Sequence, residues 1–264
     1  MPPKYELKAK ERIRKASLKY AEVVRQAAQR GINEADTSNI VQHILVDVLG
    51  YDPFKDITAQ FELKGHWADW AVKVDDCFHF FLEVKALGTK LREKDLFQVI
   101  SYSHQRDLEW AVLTTGDIWR CYRIDRGKEP REFFEIRICD DAQSLDEKVN
   151  YLYLLSKEGY SRGLLQEYWS HAECLRPDKL ARLLLSDEVL AVVRRGVHKD
   201  SPGKRIEIHD LREAIMRGVI RGDLGDLISR EVTEPKPRRR SIARSGLTAE
   251  RTEGVVEQSS TADA

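Results

Sequence analysis

The feature that most constrains the fold is a pair of neighbouring segments, 67–74 and 78–85, in which apolar residues occupy every second position. A period of two indicates β-strands, whose successive side chains point to opposite faces of a sheet. Because only residues 75–77 separate the segments, the sequence predicts an antiparallel hairpin. Its uniformly apolar sets, which must share one face, are Ala68, Trp70, Val72 and Val74 on the first strand and Phe78, Phe80, Leu82 and Val84 on the second.

The shared apolar face also predicts the register of the hairpin. Pairing Trp70 with Leu82 brings the two apolar sets together and leaves a three-residue loop at 75–77, a common hairpin length. The same register places Asp69 directly opposite Glu83. A two-residue loop would instead put the two acidic side chains on opposite faces, because a slip of one residue reverses every side chain.

Two carboxylates that face each other across neighbouring strands repel unless a positive charge lies between them. Mg²⁺ suits that position because it prefers hard oxygen ligands. Lys85 lies two residues after Glu83 on the same face, where it can steady an attacking water or the charge that develops on a phosphate. The alternative is a solvent-facing Asp/Glu/Lys patch that pairs with itself, which is the commoner meaning of an isolated Glu-x-Lys sequence.

The next segment, 91–105, is predicted to be a helix. Gln98 and Tyr102 are four residues apart and therefore lie next to each other on one face. Together with the hairpin they would supply a water-orienting amide and a phosphate-contacting hydroxyl, whereas alone they would be an exposed polar face. Lys90 and Lys94, near the start of this helix, are candidate nucleic-acid contacts.

Two helices are predicted before the hairpin. The first, 5–30, belongs to a segment with nine Lys/Arg and three Glu over residues 1–30, so it is either a solvated helix face or an arm that contacts phosphates. The second, 36–49, has one apolar stripe, with Asp36 or Thr37 as N-cap and Gly50 as C-cap.

The remainder of the chain changes from strands to helices and then to a polar tail. Four segments are predicted: a basic helix at 1–32, an α/β core at 33–140, a helical extension at 141–230 and a disordered tail at 231–264. Further strands are predicted at 110–115, 118–124 and 132–138, and further helices at 145–157, 160–174, 177–185, 187–196 and 209–220.

Composition excludes several classes of protein. The formal net charge is zero, so any affinity for nucleic acid must come from local patches. The four cysteines are scattered and no GxxxxGK[ST] phosphate loop is present, which argues against disulfide staples, a zinc ribbon and a built-in ATPase motor. A polar N-terminus and the lack of a long apolar run predict a cytoplasmic protein without a membrane partner.

In order and spacing, Asp69, Glu83-Val84-Lys85 and Gln98 with Tyr102 match the D…ExK…QxxxY pattern of PD-(D/E)XK nucleases. The segment 33–140 resembles in particular the nuclease domain at the N-terminus of the R subunit of type I restriction enzymes. Leu113-Thr114-Thr115-Gly116, followed by Trp119 and Tyr122, is similar to another segment of that family. The resemblance implies an α/β, restriction-endonuclease-like fold: a mixed central sheet flanked by helices and followed here by a helical C-terminal region.

The resemblance also implies a Mg²⁺- or Mn²⁺-dependent endonuclease that cuts DNA, in restriction or defence. The implied metal ligands are Glu34, Asp69 and Glu83, and the implied catalytic residues are Asp69, Glu83, Lys85, Gln98 and Tyr102, of which Tyr102 also contacts nucleic acid.

This chain departs from the family in three ways: it lacks the motor, has Ala68 before the aspartate and has Thr115 where Asn is usual. A separate motor or specificity protein is therefore a candidate partner, as is a second copy of the chain. Two alternatives stay open, a nucleic-acid-binding module that does not cut and an accessory subunit of an ATPase. Trp67, Trp70, Trp110 and Trp119 are interpreted as core aromatics rather than stacking platforms for bases.

Overall fold

The structure is a computed structural model that describes residues 2–63, 66–75, 77–92, 94–97, 100, 103, 108–200 and 203–222. The chain forms two compact units, residues 1–176 and 177–264. In the first unit the helices are α1 (Lys4–Arg30), α2 (Glu34–Asp47), α3 (Leu145–Leu155), α4 (Lys157–Tyr160) and α5 (Leu164–Cys174). Its strands are β1 (Ile57–Leu63), β2 (His66–Val74), β3 (Cys77–Val84), β4 (Trp110–Thr114), β5 (Ile118–Arg123) and β6 (Arg131–Arg137).

A six-stranded mixed sheet in the order β1-β2-β3-β4-β5-β6 organises the first unit. β3 and β4 are parallel, and the other neighbouring strands are antiparallel. Parallel neighbours need a crossover connection, and residues 94–97 between β3 and β4 are helical. The predicted mixed α/β architecture is therefore confirmed.

The sheet is covered on both faces. On one face, α1, α2 and α3 bury the larger apolar cluster, which includes Trp70 and Leu82 at the centre of the hairpin. On the other face lies a smaller cluster around Phe81 and Leu113. β3 is buried along most of its length, so its polar residue Glu83 also lies inside the protein.

The predicted register of the hairpin is correct at its centre and wrong at its turn. Trp70 pairs with Leu82 as predicted, but Val74 pairs with Cys77, which leaves two residues between the paired ends instead of three. A β-bulge at His79 compensates, because it inserts one extra residue into β3 and restores the register.

The bulge has a physical explanation in the packing of its extra residue. The His79 ring stacks on Tyr160 with ring centroids 4.2 Å apart and packs edge-on against Tyr51. Phe78, on the other side of the bulge, packs instead with the smaller cluster, together with Phe61 and Phe81. The predicted apolar face is therefore correct from Phe80 onwards and wrong for Phe78.

A second irregularity crosses β1 and β2 at Gln60 and Asp69. Gln60 has a φ of 46°, and the ladder between the two strands omits these two residues while keeping its register on either side. Ala68 packs in the smaller cluster, whereas Trp70 packs in the larger one. The prediction that these two side chains share a face is wrong, because the strand turns over at Asp69.

One strand and both ends of α2 differ from the predictions. β1 was not predicted, although 57–63 alternates between apolar and polar residues. α2 begins at Glu34 because Asn33, rather than Asp36 or Thr37, is the N-cap and accepts a hydrogen bond from the Asp36 amide. At its other end α2 has Val48 as C-cap, and Gly50 follows in a left-handed conformation with a φ of 80°.

The basic residues of α1 are largely neutralised by acidic partners. Its buried stripe packs against the larger cluster, and the interpretation of α1 as a structural helix with a solvated face agrees with this packing. Six of its basic side chains form ion pairs: Lys10 with Glu6, Arg12 with Glu158, Arg14 with Asp146, Lys15 with Glu11, Lys19 with Asp47 and Arg25 with Asp141.

The second unit contains α6 (Pro177–Leu184), α7 (Asp187–Asp200) and α8 (Ile208–Gly218). Its core is small and includes Ala181, Leu185 and Ile220. Among the residues that the structure describes, no helix combines the length and the apolar character needed to cross a bilayer.

Candidate active site

Asp69 marks the point where β2 and β3 stop pairing. The ladder between the two strands runs from Trp70 and Leu82 towards the turn and does not include Asp69. Past Trp70 and Leu82, the side chain of Asp69 replaces the backbone pairing. Its Oδ2 accepts a hydrogen bond of 2.7 Å from the Val84 amide. The carboxylate of Asp69 is thereby fixed beside the backbone of the residue that follows Glu83.

Glu83 is a buried carboxylate with only one of its oxygens bonded. The residue is 3% exposed. Its Oε1 accepts a hydrogen bond of 2.6 Å from the Lys85 Nζ, while its buried Oε2 has no hydrogen-bond partner among the described residues. Because buried polar atoms are normally bonded, this oxygen marks a place for a proton or a cation.

The charges of these groups are strongly coupled. Burial, together with the negative charge of Asp69, raises the pKa of Glu83 to about 7. The pKa of Asp69 is also raised, again chiefly by burial. Burial acts to lower the pKa of Lys85, but the hydrogen bond to Glu83 and the surrounding acidic charges outweigh it, so the pKa of Lys85 lies above its usual value. Both the hydrogen bond to Glu83 and this raised pKa favour the charged form of Lys85.

The N-terminus of α2 docks beside these strands. The Thr37 hydroxyl accepts a hydrogen bond of 3.0 Å from the Leu87 amide, just after β3, and the Trp70 indole donates a bond of 3.0 Å to the Ser38 hydroxyl. Glu34 is the first residue of this helix, and its charge contributes to raising the pKa values of Asp69 and Glu83. All three acidic residues of the predicted metal site therefore influence one another.

An open cleft of about 730 Å³ lies between one side of α2, the middle of β1 and β2, and the end of β3. Asp69 and Glu34 line it, but Glu83 and Lys85 do not. Among the residues that the structure describes, the lining includes two acidic side chains and no lysine or arginine. The lining residues are Glu34, Ala35, Ser38, Asn39, Gln42, Ala59, Gln60, Asp69, Trp70 and Val84.

Three amide side chains in the cleft, Asn39, Gln42 and Gln60, are not among the predicted site residues. None of them has a hydrogen-bond partner in the described part of the chain, so all three are free to contact a ligand. A sequence signal existed for part of this surface, because Glu34, Ser38 and Gln42 form a polar row at helical spacing. Gln60 lacked such a signal, since its position depends on a local distortion of β1.

The oxygen atoms of this site can hold a hard divalent cation only if few of its ligands come from the protein. Within the described ranges, no group of three or more His, Cys, Asp or Glu side chains lies close enough to hold a metal ion. Mg²⁺ is commonly bound by one or two carboxylates and several waters. Asp69 and the unpaired Oε2 of Glu83 meet that lower requirement, and Glu34 would be an outer partner.

The remaining predicted site residues lie partly outside the described structure. Gln98 and Tyr102 are outside the described residues, so their predicted roles stay predictions. Lys90 and Lys94 are both exposed, Lys90 in the segment after β3 and Lys94 at the start of the helical residues 94–97. Their exposure is compatible with the predicted contact to nucleic acid.

Trp67 corrects the interpretation of the tryptophans. Trp70, Trp110 and Trp119 are buried as predicted, but Trp67 is 54% exposed. It lies two residues before Asp69, beyond the point where β2 turns over, and that reversal takes its side chain out of the core. The interpretation of Trp67 as a core aromatic is therefore wrong.

The segment after β4 that resembles the nuclease family is structural here. The Trp119 indole donates a hydrogen bond of 3.1 Å to the Gly116 carbonyl, and the Thr114 hydroxyl accepts one from the Gly116 amide. Gly116 has a φ of 80°, which glycine adopts without strain. These contacts close the turn between β4 and β5 and do not involve the acidic residues.

Comparisons with protein-family models, with curated proteins and with solved structures found no match to this chain. A functional assignment must therefore come from the chemistry of the site itself. The features that carry it are the fixed carboxylate of Asp69, the half-bonded carboxylate of Glu83 and the cationic Lys85.

Proposed function

We propose that this chain is a metal-dependent nuclease that hydrolyses phosphodiester bonds of DNA, with a restriction-endonuclease-like fold. The observation that carries the proposal is the buried carboxylate of Glu83, beside the charge of Asp69. One of its oxygens is bonded to Lys85, and the other has no hydrogen-bond partner among the described residues. Burying two like charges together costs stability, and a site built for a cation explains why the chain retains them.

Each residue of this site has a separate task. Asp69 and Glu83 would hold Mg²⁺ or Mn²⁺ through their oxygens, with Glu34 at greater distance. Lys85 keeps its proton and stabilises negative charge on the phosphate or orients a water molecule. When bound, the ion would neutralise the carboxylates and polarise a phosphoryl oxygen. Gln98 and Tyr102 are proposed to hold the water or the scissile phosphate.

The experiment is a cleavage assay with supercoiled and linear DNA in Mg²⁺ and in EDTA. We expect cleavage by the wild-type chain in Mg²⁺ only, and its loss in Lys85→Ala. Lys15→Ala is the matched control, because Lys15 is an exposed lysine whose ion-pair partner lies on the same helix. Cleavage that survives in EDTA or in Lys85→Ala would refute the proposed site.

A second candidate function is a nucleic-acid-binding module or an ATPase-dependent accessory subunit. The bond between Lys85 and Glu83 favours it, since a site that pairs with itself needs no metal. Such a module would bind DNA equally well with and without Mg²⁺ and would leave it intact. An accessory subunit would cut only after an ATPase is added.

A further inference from the structure

Helix α7 of the second unit carries four basic residues on adjacent turns. Arg194 lies four residues before His198, and Arg195 lies four residues before Lys199. Residues at this spacing are neighbours on a helix surface, with Cβ atoms about 5–6 Å apart. The four side chains therefore form two parallel rows, which we call the α7 basic face.

The two rows of the α7 basic face differ in exposure. Leu190 is fully buried and marks the inward side of the helix. Arg195 and Lys199 are exposed, and Arg194 and His198 are partly exposed. Arg194 and His198 follow Leu190 at four and eight residues, so their row borders the buried side of the helix, whereas the row of Arg195 and Lys199 is accessible within this unit.

None of the four side chains has an acidic partner in the part of the chain that the structure describes. Other arginines of the same unit are paired, Arg212 with Asp187 and Arg217 with Glu213. In the first unit, arginines of α1 are likewise paired with acidic side chains outside that helix. Because many basic side chains of the described helices are paired with acidic ones, the α7 basic face, which has no such partner among the described residues, stands out as a surface for an external anion.

We propose that the α7 basic face binds the phosphate backbone of a nucleic acid. Three neighbouring cations, Arg194, Arg195 and Lys199, suit an extended series of anions better than a single anionic group. Among the described residues, the lining of the proposed active-site cleft includes Glu34 and Asp69 but no lysine or arginine, so the cleft itself favours a cation over a polyanion. A separate basic surface would hold the polyanion. The choice of nucleic acid over another polyanion rests on the proposed function.

The test measures binding without cleavage, using the full-length chain and a fluorescent DNA duplex in EDTA at increasing salt. The variant Arg194→Gln/Arg195→Gln removes two unpaired charges. The control Lys15→Gln/Arg217→Gln removes the same number of charges from ion-paired positions. Circular dichroism establishes that both variants are folded.

We expect the α7 variant to bind about tenfold more weakly at about 0.1 M salt and to lose nearly two units of the slope of log K against log salt, since each phosphate contact contributes about 0.9. The control should change little. Equal affinities and slopes for the two variants would overturn the proposal. A second competition would also overturn it. If poly-glutamate displaces the chain from the labelled duplex as effectively as unlabelled DNA does, the partner is an acidic protein.

This outcome is separate from that of the nuclease proposal. A chain that binds DNA through α7 but never cuts it in Mg²⁺ supports the basic face and contradicts the nuclease. A chain that cuts DNA while the α7 variant binds and cuts as well as the control supports the nuclease and contradicts the basic face.

Discussion

The backbone amide of Val84 donates a hydrogen bond of 2.7 Å to the carboxylate of Asp69, where the ladder between β2 and β3 ends. A side chain thus replaces the backbone pairing of two strands at the residue next to Glu83. The same bond opposes the rise in the pKa of Asp69. This contact brings the acidic groups of the two strands together without direct pairing of their backbones.

Glu83 should make the protein less stable as the pH rises. Its pKa is about 7 in the folded chain against an ordinary value of 4.5, so the folded state holds this proton more tightly than the unfolded state. The contribution of the protonated Glu83 to the free energy of unfolding is complete below pH 4.5 and is lost as the pH rises through 7. The free energy of unfolding of wild type minus that of Glu83→Gln should fall by up to about 3 kcal/mol over this range. Urea titrations would measure it, and a pH-independent difference would contradict the burial of a strained carboxylate.

Divalent cations should stabilise the chain through the same carboxylates. A ligand present at about ten times its dissociation constant stabilises the folded state by about 1.4 kcal/mol. Mg²⁺ or Mn²⁺ should therefore raise the melting temperature of wild type at pH 8 but not that of Asp69→Asn or Glu83→Gln. Thermal unfolding with and without EDTA measures the shift. Asp117→Asn is a control away from the site, and an equal shift in all variants would mean non-specific binding.

His79 should make the protein sensitive to acid. Burial lowers its pKa to about 4 from an ordinary 6.5, so the unfolded state binds this proton more readily. The contribution of neutral His79 to the free energy of unfolding is complete above pH 6.5 and is lost as the pH falls through 4. His79→Phe, which keeps a ring against Tyr160, should reduce this loss. Acid titration of both chains by circular dichroism tests it, and identical acid transitions would show that His79 is not responsible.

The hydroxyl of Thr37 should be required to hold α2 against the segment after β3. Thr37 is 1% exposed, and its Oγ1 accepts the bond from the Leu87 amide. Thr37→Val leaves that amide unpaired and should cost about 1–3 kcal/mol of unfolding free energy. Thr37→Ser keeps the hydroxyl and should cost less. Equal losses in the two variants would contradict a dominant role for the hydroxyl.

Gly50 should tolerate a side chain less well than Gly31. Both have a positive φ, 80° and 64°, and an alanine at either position would be strained by about 1 kcal/mol or more. A Cβ at Gly50 would also lie 2.6 Å from the Arg12 guanidinium, whereas nothing lies within 4 Å at Gly31. Gly50→Ala should therefore lower the melting temperature more than Gly31→Ala. Equal losses would mean that Arg12 moves aside freely.

Most strands could be predicted because alternation is a local property. The pairing of Trp70 with Leu82 followed from matching two apolar sets, and it is confirmed. The strand β1 shows the same alternation and was still missed. The turn was predicted wrongly because the bulge at His79 depends on Tyr51 and Tyr160, which are distant in the sequence.

The sequence by itself determined the strand pattern, the pairing at the centre of the hairpin and the presence of Asp69, Glu83 and Lys85 near one another, because side-chain alternation and strand pairing are local rules. Only the tertiary structure decided that Lys85 is bonded to Glu83, that the other oxygen of Glu83 has no partner among the described residues, and that α2 completes a cleft with Asp69. Burial and electrostatic coupling depend on every element that packs around a group, and no local pattern in the sequence records them.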